Sequence, residues 1–448
     1  MIRVHLLPPI MINFIHLNID QNMSTIREDL IHYIWLTKSF DQKNLKLIDG
    51  RSLEIISKGH HNSNAGPDFL DARINIDRTI WAGHIEIHLK ASDWLRHRHN
   101  SDPQYQNVIL HVVLDADIDI SLTDGTIIPC LALRDRIDHN LIGKYQYLQN
   151  NRSWIPCEKS IVEVDEITKE MTKDRSLAER LTSKSDILQS ALEGLSNDLN
   201  ELIYQRLAWA FGLKVNAEAM TTLAKSLPYK MIQKHGDQLV QIEALLFGQS
   251  ELLDQDIDHP YVKDLHREYT ILKAKFSLRP ISPVLWKYAR LRPPAFPTIR
   301  LAQFARFLYQ VSRLDDLLFN SDLPQLRTAL DITLSGYWEE HYRFGVSAKR
   351  KNKHLGDATK DVIIVNAIVP LLFMYGRIHQ EESYKEKAIA LLESVPPEHN
   401  GITRRWVSLG MTNQNAAESQ ALLELKKTNC DQHKCMQCPL GHKIITSG

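Results

Sequence analysis

From Thr79 to Lys90 the chain reads TIWAGHIEIHLK, and beyond Gly83 its polarity alternates residue by residue. His84, Glu86, His88 and Lys90 fall on one parity, and Ile85, Ile87 and Leu89 on the other. Strand side chains alternate between faces with a period of two. A strand here lines four ionisable groups along one face and an apolar stripe along the other. Solvated strand faces usually mix Thr, Ser and Lys, whereas two imidazoles, a carboxylate and an ammonium in one row have the composition of a site.

The preceding residues supply a partner. In HHNSNAGPDFLDARINI, Gly66 permits a tight backbone and Pro67 fixes its φ just before Asp68. Residues 69–76 and 80–90 flank a polar turn at Asp77 and Arg78 and predict a β-hairpin. The hairpin brings Asp68 toward Glu86. Two carboxylates converging from neighbouring strands make a hard-oxygen site suited to Mg²⁺ or Mn²⁺. His88 or Lys90 is then the candidate to orient or deprotonate a metal-bound water. The competing reading is a polar sheet face carrying a solvated ladder of charges.

This arrangement resembles the PD-(D/E)XK nuclease superfamily, in which a Pro-Asp on one strand and an acidic-x-Lys on the next hold a catalytic metal. Pro67, Asp68 and Glu86 match; His88 stands where the resemblance expects Lys, and Lys90 lies two residues further along. The wider order is also compatible with that superfamily's αβββαβ core. Leu30, Ile31, Ile34 and Trp35 recur at helical spacing after a Thr25–Glu28 capping pattern. A strand over 52–57, the hairpin, a short helix over 93–99 and an apolar strand over 108–114 follow, and then a second hairpin centred on Asp124 and Gly125. His97, His99 and His111 read as surface or core histidines.

Beyond about residue 165 helical periodicity takes over and runs to about 425, broken by prolines at 228, 260, 280–283 and 293–297. No repeat of fixed period is present. The expected organisation is a disordered extension over 1–22 with Met23 as the natural start, a nuclease-like α/β domain over 23–150 and a linker over 151–164. An all-helical domain over 165–425 and a Cys-rich tail over 426–448 complete an α+β protein. Lys plus Arg and Asp plus Glu number 54 each, so no global field favours nucleic acid. Contact with DNA or RNA falls instead to two basic segments with nearby aromatics, through Arg290, Arg292 and Arg300 in one and Lys349, Arg350, Lys351 and Lys353 in the other. No apolar run reaches the length of a membrane span.

The tail carries a second chemical signal. Cys430, Cys435 and Cys438 are spaced C-x4-C-x2-C, with His442 four residues on. Such crowding of soft ligands reads as metal. His442 would complete a Zn²⁺ site, and Cys157 an iron–sulfur cluster; by analogy, several nucleases of the superfamily clamp their catalytic domain with one upstream cysteine and three near the C-terminus. Few cysteines, crowded in this way, argue for a reducing, cytoplasmic compartment. Taken whole, the chain resembles the bacterial domain-of-unknown-function family 2851 in segments that include REDLIHYIW, HNSNAGPDF, WAGHIEIHLKASDW, LRPPAFPTIRLAQFA and KCMQCPLG. That resemblance implies no activity. The function expected is therefore metal-dependent phosphodiester hydrolysis on DNA or RNA. The alternatives are an inactive nucleic-acid-binding or scaffold protein of the same fold, and a metal hydrolase using His84, Glu86 and His88 on small molecules.

Overall fold

In the computed structural model, which describes residues 26–62, 64–253, 256–334 and 336–447, the chain divides into two units. The first takes in the described parts of Met1–Lys169 and Thr428–Gly448, and the second is Glu170–Lys427. The expected extension, the Met23 start and Thr25 lie outside the described residues.

The first unit opens with α1 (Glu28–Thr37), whose Leu30, Ile31, Ile34 and Trp35 are buried and whose first turn carries Glu28 and Asp29. Acids at that end complement the helix dipole. The strands are β1 (Leu53–Ser57), β2 (His60–His61), β3 (Phe69–Ile76), β4 (Thr79–Lys90), β5 (Val108–Asp115) and β6 (Cys130–Ala132). They form one sheet in the order β1-β3-β4-β5-β6, with β2 paired to β3. β1, β3 and β4 are antiparallel neighbours, while β4–β5 and β5–β6 are parallel.

The hairpin forms as its sequence expects. Asp77 and Arg78 both take positive φ, 46° and 73°, as a two-residue hairpin turn requires. The parallel step from β4 to β5 runs through α2 (Asp93–Arg96) and two short 3₁₀ turns, His99–Ser101 and Pro103–Tyr105. β5 is buried from Val108 to Leu114, as suits a strand covered on both faces. Gly83 lets the two strands close: a Cβ there would lie 2.5 Å from both the Asn107 carbonyl and Ile109 Cγ2. The second expected hairpin reduces to a single bridge, Ser121 to Ile127, before the chain joins the sheet as β6. α3 (His139–Asn150) follows. The tail ends in α4 (Pro439–Thr446), which packs on α3 and so returns the C-terminus to the sheet-bearing unit.

The second unit is mostly helical, but not wholly. Thr333–Leu334 pairs with Lys353–His354, and His341–Arg343 with Val346–Ser347. Pairs of two or three residues are too short to show a period in the sequence, so the expected all-helical domain is corrected to a helical one with two small strand pairs. Its core gathers Tyr204, Phe211, Phe247, Phe304, Phe307 and Trp338. The helical run Asp357–His379 is long and apolar enough to cross a membrane by length and composition, but 61% of it is buried inside the fold.

One buried acid in this core makes stability depend on pH. Burial pushes the Glu243 carboxyl up to about 7 against the opposing pull of a Tyr261 hydrogen bond and the Arg306 charge. Tyr261 in turn accepts from Trp338 Nε1 at 2.9 Å. An acid whose folded pKa is raised contributes fully below its unfolded pKa, near 4.5, and that contribution is lost as pH rises through 7. The difference corresponds to roughly 3 kcal/mol. Glu243→Gln cannot ionise and keeps a hydrogen-bonding group. Denaturant unfolding at pH 5 and pH 8 should therefore show the wild type losing stability relative to the variant on going alkaline. Parallel behaviour of the two proteins would show that Glu243 does not hold its proton.

Candidate metal centre

The site is built where α1, the start of β3, β4 and the β4–β5 crossover meet. Gly66 adopts φ +105°, and the Asn62 side chain donates to the Ala65 and Pro67 carbonyls, fixing the loop that delivers Asp68. Asp68 is then locked to β4 in both directions. Its N–H donates to Glu86 Oε2 at 3.1 Å, and its Oδ2 accepts the Ile87 N–H at 2.9 Å. The two carboxylates expected from the hairpin are thus brought together.

α1 contributes a second pair that the sequence reading missed. Glu28 and His32, four residues apart and so on one helix face, reach the same place. His32 Nε2 lies 3.2 Å from Asp68 Oδ2, and Glu28 Oε1 lies 4.0 Å from His88 Nε2. The i, i+4 spacing of a Glu and a His was the signal available for them.

The crossover and β5 add imidazoles. His88, 1% exposed, has His111 Nε2 at 2.8 Å from its Nδ1 and His97 Nδ1 at 3.1 Å from its Nε2. His99 Nε2 stands 3.2 Å from Glu86 Oε1, which is 3.6 Å from His88 Nε2. The His99 ring stacks on Tyr105, centroid to centroid 3.9 Å, and Trp94 packs edge-on to both His88 and His99. The fold thus brings His97, His99 and His111, which read from sequence as surface or core histidines, to the candidate site.

Crowding of like groups under partial burial shifts these residues in opposite directions. Burial pushes Glu28 up to about 7, with the charges of Asp68, Glu86 and Asp93 adding to it and His32 opposing. Glu86 is also raised, by burial first and by Asp68. Burial and the neighbouring imidazoles push His88 down to about 2 and His111 to about 3. His32 moves the other way: burial lowers it, but the hydrogen bond and charge of Asp68 outweigh that. Among the described residues, no lysine or arginine pairs with Glu28, Asp68 or Glu86.

The other residues of the predicted row lie apart. His84 sits at a register shift between β4 and β5 and takes the Asp71 N–H at 3.4 Å. Lys90 is exposed at the end of β4; its N–H donates to Asp93, and its charge acts on Asp117. The basic residues in the second unit also separate. Arg290, Arg292, Lys349 and Lys351 are exposed, and Arg350, also exposed, pairs with Glu339 at 2.6 Å. Arg300 is instead buried on Gln303 Oε1 at 2.9 Å. Lys353 is buried too, donating to the Trp338 and Glu339 carbonyls. Neither of these two presents its charge to a phosphate, because each is turned inward to satisfy neighbouring polar groups.

Two of the tail cysteines, Cys435 and Cys438, lie near Cys157 within the first unit. None of Cys130, Cys157, Cys430, Cys435 and Cys438 forms a disulfide, and all are buried. Burial raises the Cys157 thiol strongly, and the adjacent Cys438 and Cys435 raise it further. Cys435 is pushed up to about 12 by burial and by Cys438. Gly441 is required beside them, since a Cβ there would lie 2.0 Å from the Cys435 carbonyl oxygen. His442 is held by Tyr33, whose hydroxyl lies 2.6 Å from its Nδ1.

Residues 28–401 match the family described as protein of unknown function, DUF2851. The chain belongs to the DUF2851 family. The matched span of this DUF2851 protein begins at Glu28, the first residue of the site, and ends before Cys430, so the tail cysteines lie outside it. Comparison with characterised proteins and with solved structures gave no match.

Proposed function

We propose that the sheet-bearing unit is a metal-dependent hydrolase of phosphodiester bonds in DNA or RNA. The observation that carries this reading is the reciprocal locking of Asp68 and Glu86, through Asp68 N–H to Glu86 Oε2 at 3.1 Å and Ile87 N–H to Asp68 Oδ2 at 2.9 Å. Two acids held side by side, with Glu28 close by and no lysine or arginine pairing with them among the described residues, suit a hard dication. Such an ion polarises a phosphoryl oxygen and supplies a nucleophilic water at neutral pH. The strand order, three antiparallel strands followed by two parallel ones, supports the likeness to the PD-(D/E)XK core.

Where that resemblance expects a lysine, His88 and His32 are the groups beside the carboxylates; both ring nitrogens of His88 are engaged, by His111 and His97, so His32 takes the role of orienting the water. The exposed Arg290, Arg292, Lys349, Arg350 and Lys351 are the cations available to nucleic-acid phosphates. Cys157, Cys430, Cys435 and Cys438 hold a structural Zn²⁺ or an iron–sulfur cluster, and five free cysteines suit the reducing cytoplasm.

The test is cleavage of end-labelled single- and double-stranded DNA and RNA by the full chain with Mg²⁺, Mn²⁺ or EDTA. Cleavage with either metal and none with EDTA is expected. Binding without cleavage under every metal condition would replace this reading with that of an inactive nucleic-acid-binding protein.

A further inference from the structure

Glu86 faces two ways. Its Oε2 accepts from Asp68, on the carboxylate side, while its Oε1 lies 3.2 Å from His99 Nε2 and 3.6 Å from His88 Nε2. His88, His97 and His99 each present a ligand atom, and the three atoms lie within 4.8 Å of one another. We infer that His88, His97, His99 and Glu86 Oε1 form a binding site for a first-row transition-metal dication, distinct from the Asp68 side of Glu86.

Three of the distances between these atoms are those of ligands around one ion. Bonds of about 2.1 Å place neighbouring ligand atoms roughly 3.0 Å apart at octahedral angles and roughly 3.4 Å apart at tetrahedral ones. Three edges are 3.1 Å from His88 to His97, 3.2 Å from His99 to Glu86 and 3.6 Å from His88 to Glu86, and the three imidazole atoms all lie within 4.8 Å of one another. A hydrogen-bonded network accounts for them less well. His99 Nε2 is buried and makes no hydrogen bond, although a carboxylate oxygen stands 3.2 Å away. A nitrogen aimed past its neighbour, not at it, is what a shared third atom requires.

The groups behind these ligands agree. A ligating histidine usually donates its other ring N–H to a fixed acceptor. His88, whose Nε2 faces His97 and Glu86, has His111 Nε2 at 2.8 Å from its Nδ1. Stacking on Tyr105 and contact with Trp94 fix the His99 ring. His97 is exposed, so the position opens to solvent on that side. Three imidazoles with one carboxylate select Zn²⁺, Fe²⁺ or Mn²⁺ over Mg²⁺ and Ca²⁺, which take oxygen. The inference stands apart from phosphodiester hydrolysis and does not need it.

The test is calorimetric titration of the chelator-treated full chain with Zn²⁺, followed by Co²⁺ spectroscopy. His97→Ala and His99→Ala, at positions less buried than His88, should each lose one Zn²⁺ equivalent or bind it at least about 100-fold more weakly. Their far-UV circular dichroism should be unchanged. Asp68→Ala should keep that equivalent. With Co²⁺, the ligand-field bands removed in the histidine variants should lack the thiolate charge-transfer absorption that marks cysteine-bound metal. Unchanged stoichiometry and affinity in both histidine variants would overturn the site, as would loss of the same equivalent in Asp68→Ala. If nucleic-acid cleavage fails while the histidine-dependent equivalent is present, only the hydrolytic reading falls.

Discussion

Asp68→Asn and Glu86→Gln are each expected to reduce Mg²⁺- or Mn²⁺-dependent cleavage by at least about 10³-fold while leaving the fold intact. The amide variants are more informative than alanine. Asp68→Asn still offers an amide oxygen to the Ile87 N–H, and Glu86→Gln still offers one to the Asp68 N–H, so the locking of loop to strand survives. What disappears is the charge that holds a dication, and a site with few acidic ligands tolerates that poorly. Alanine at either position should act in the same direction but also leave a backbone N–H without its partner, at a stability cost of about 1–3 kcal/mol. The imidazoles divide the remaining question. His32→Ala should cost about 10²- to 10⁴-fold in rate if its ring handles the water's proton. Lys90→Ala should change little, because Lys90 is exposed at the far end of β4 and its charge acts on Asp117. A large rate loss in Lys90→Ala would show that this side chain turns back toward the carboxylates during the reaction.

The hairpin was legible in the sequence because everything that specifies it is local. Alternation over β4, a two-residue polar turn and a Gly-Pro before Asp68 each act within a few residues, and together they fix which side chains face one another. The meeting of Asp68 and Glu86 needs one thing more, a bulge between Phe69 and Ala72, with Asp71 at φ 57°, that shifts the register by one residue and sets Phe69 opposite Ile85. The histidines were not legible in the same way. His97, His99 and His111 stand in a crossover and in a strand buried on both faces, and nothing in their immediate neighbours distinguishes them from packed histidines. Tertiary contacts give them a role: the crossover brings His97 to His88 and His99 to Glu86, and the parallel pairing of β5 with β4 sets His111 opposite Glu86. Glu28 and His32 are intermediate. Their shared helix face is readable, but which strand that face meets is a tertiary fact.

The basic segments divide for a different reason. Reading a run of cations as one surface ignores that long charged side chains can turn inward when a carbonyl or amide awaits them. Arg300 finds Gln303, and Lys353 finds the backbone of Trp338 and Glu339. Their neighbours Arg292 and Lys351 remain exposed, so composition alone could not sort the segment.

Removing the ligands of the cysteine centre is expected to detach the C-terminal tail from the sheet-bearing unit. α4 buries Leu440, Ile444 and Ile445, and four polar contacts reinforce the tail: Gln149 Nε2 to the His433 carbonyl at 3.3 Å, Tyr33 hydroxyl to His442 Nδ1 at 2.6 Å, Lys443 Nζ to Asp165 Oδ2 at 3.3 Å, and Lys144 Nζ to the Ser447 carbonyl. An eight-residue helix is marginal by itself. A metal that joins Cys157, far upstream, to Cys435 and Cys438 would close a long loop, and its binding free energy would then count as folding free energy. Cys157→Ser with Cys435→Ser should therefore lower Tm on the order of 10 °C, corresponding to several kcal/mol for a unit of this size. It should also expose the tail to limited proteolysis between Lys427 and Lys434. Anaerobic purification tells the two candidate groups apart, since an iron–sulfur cluster gives a broad visible absorption and Zn²⁺ gives none. Full protection of the tail in the double variant, with Tm unchanged, would leave its docking to the apolar face of α4 and give the cysteines no structural metal to hold.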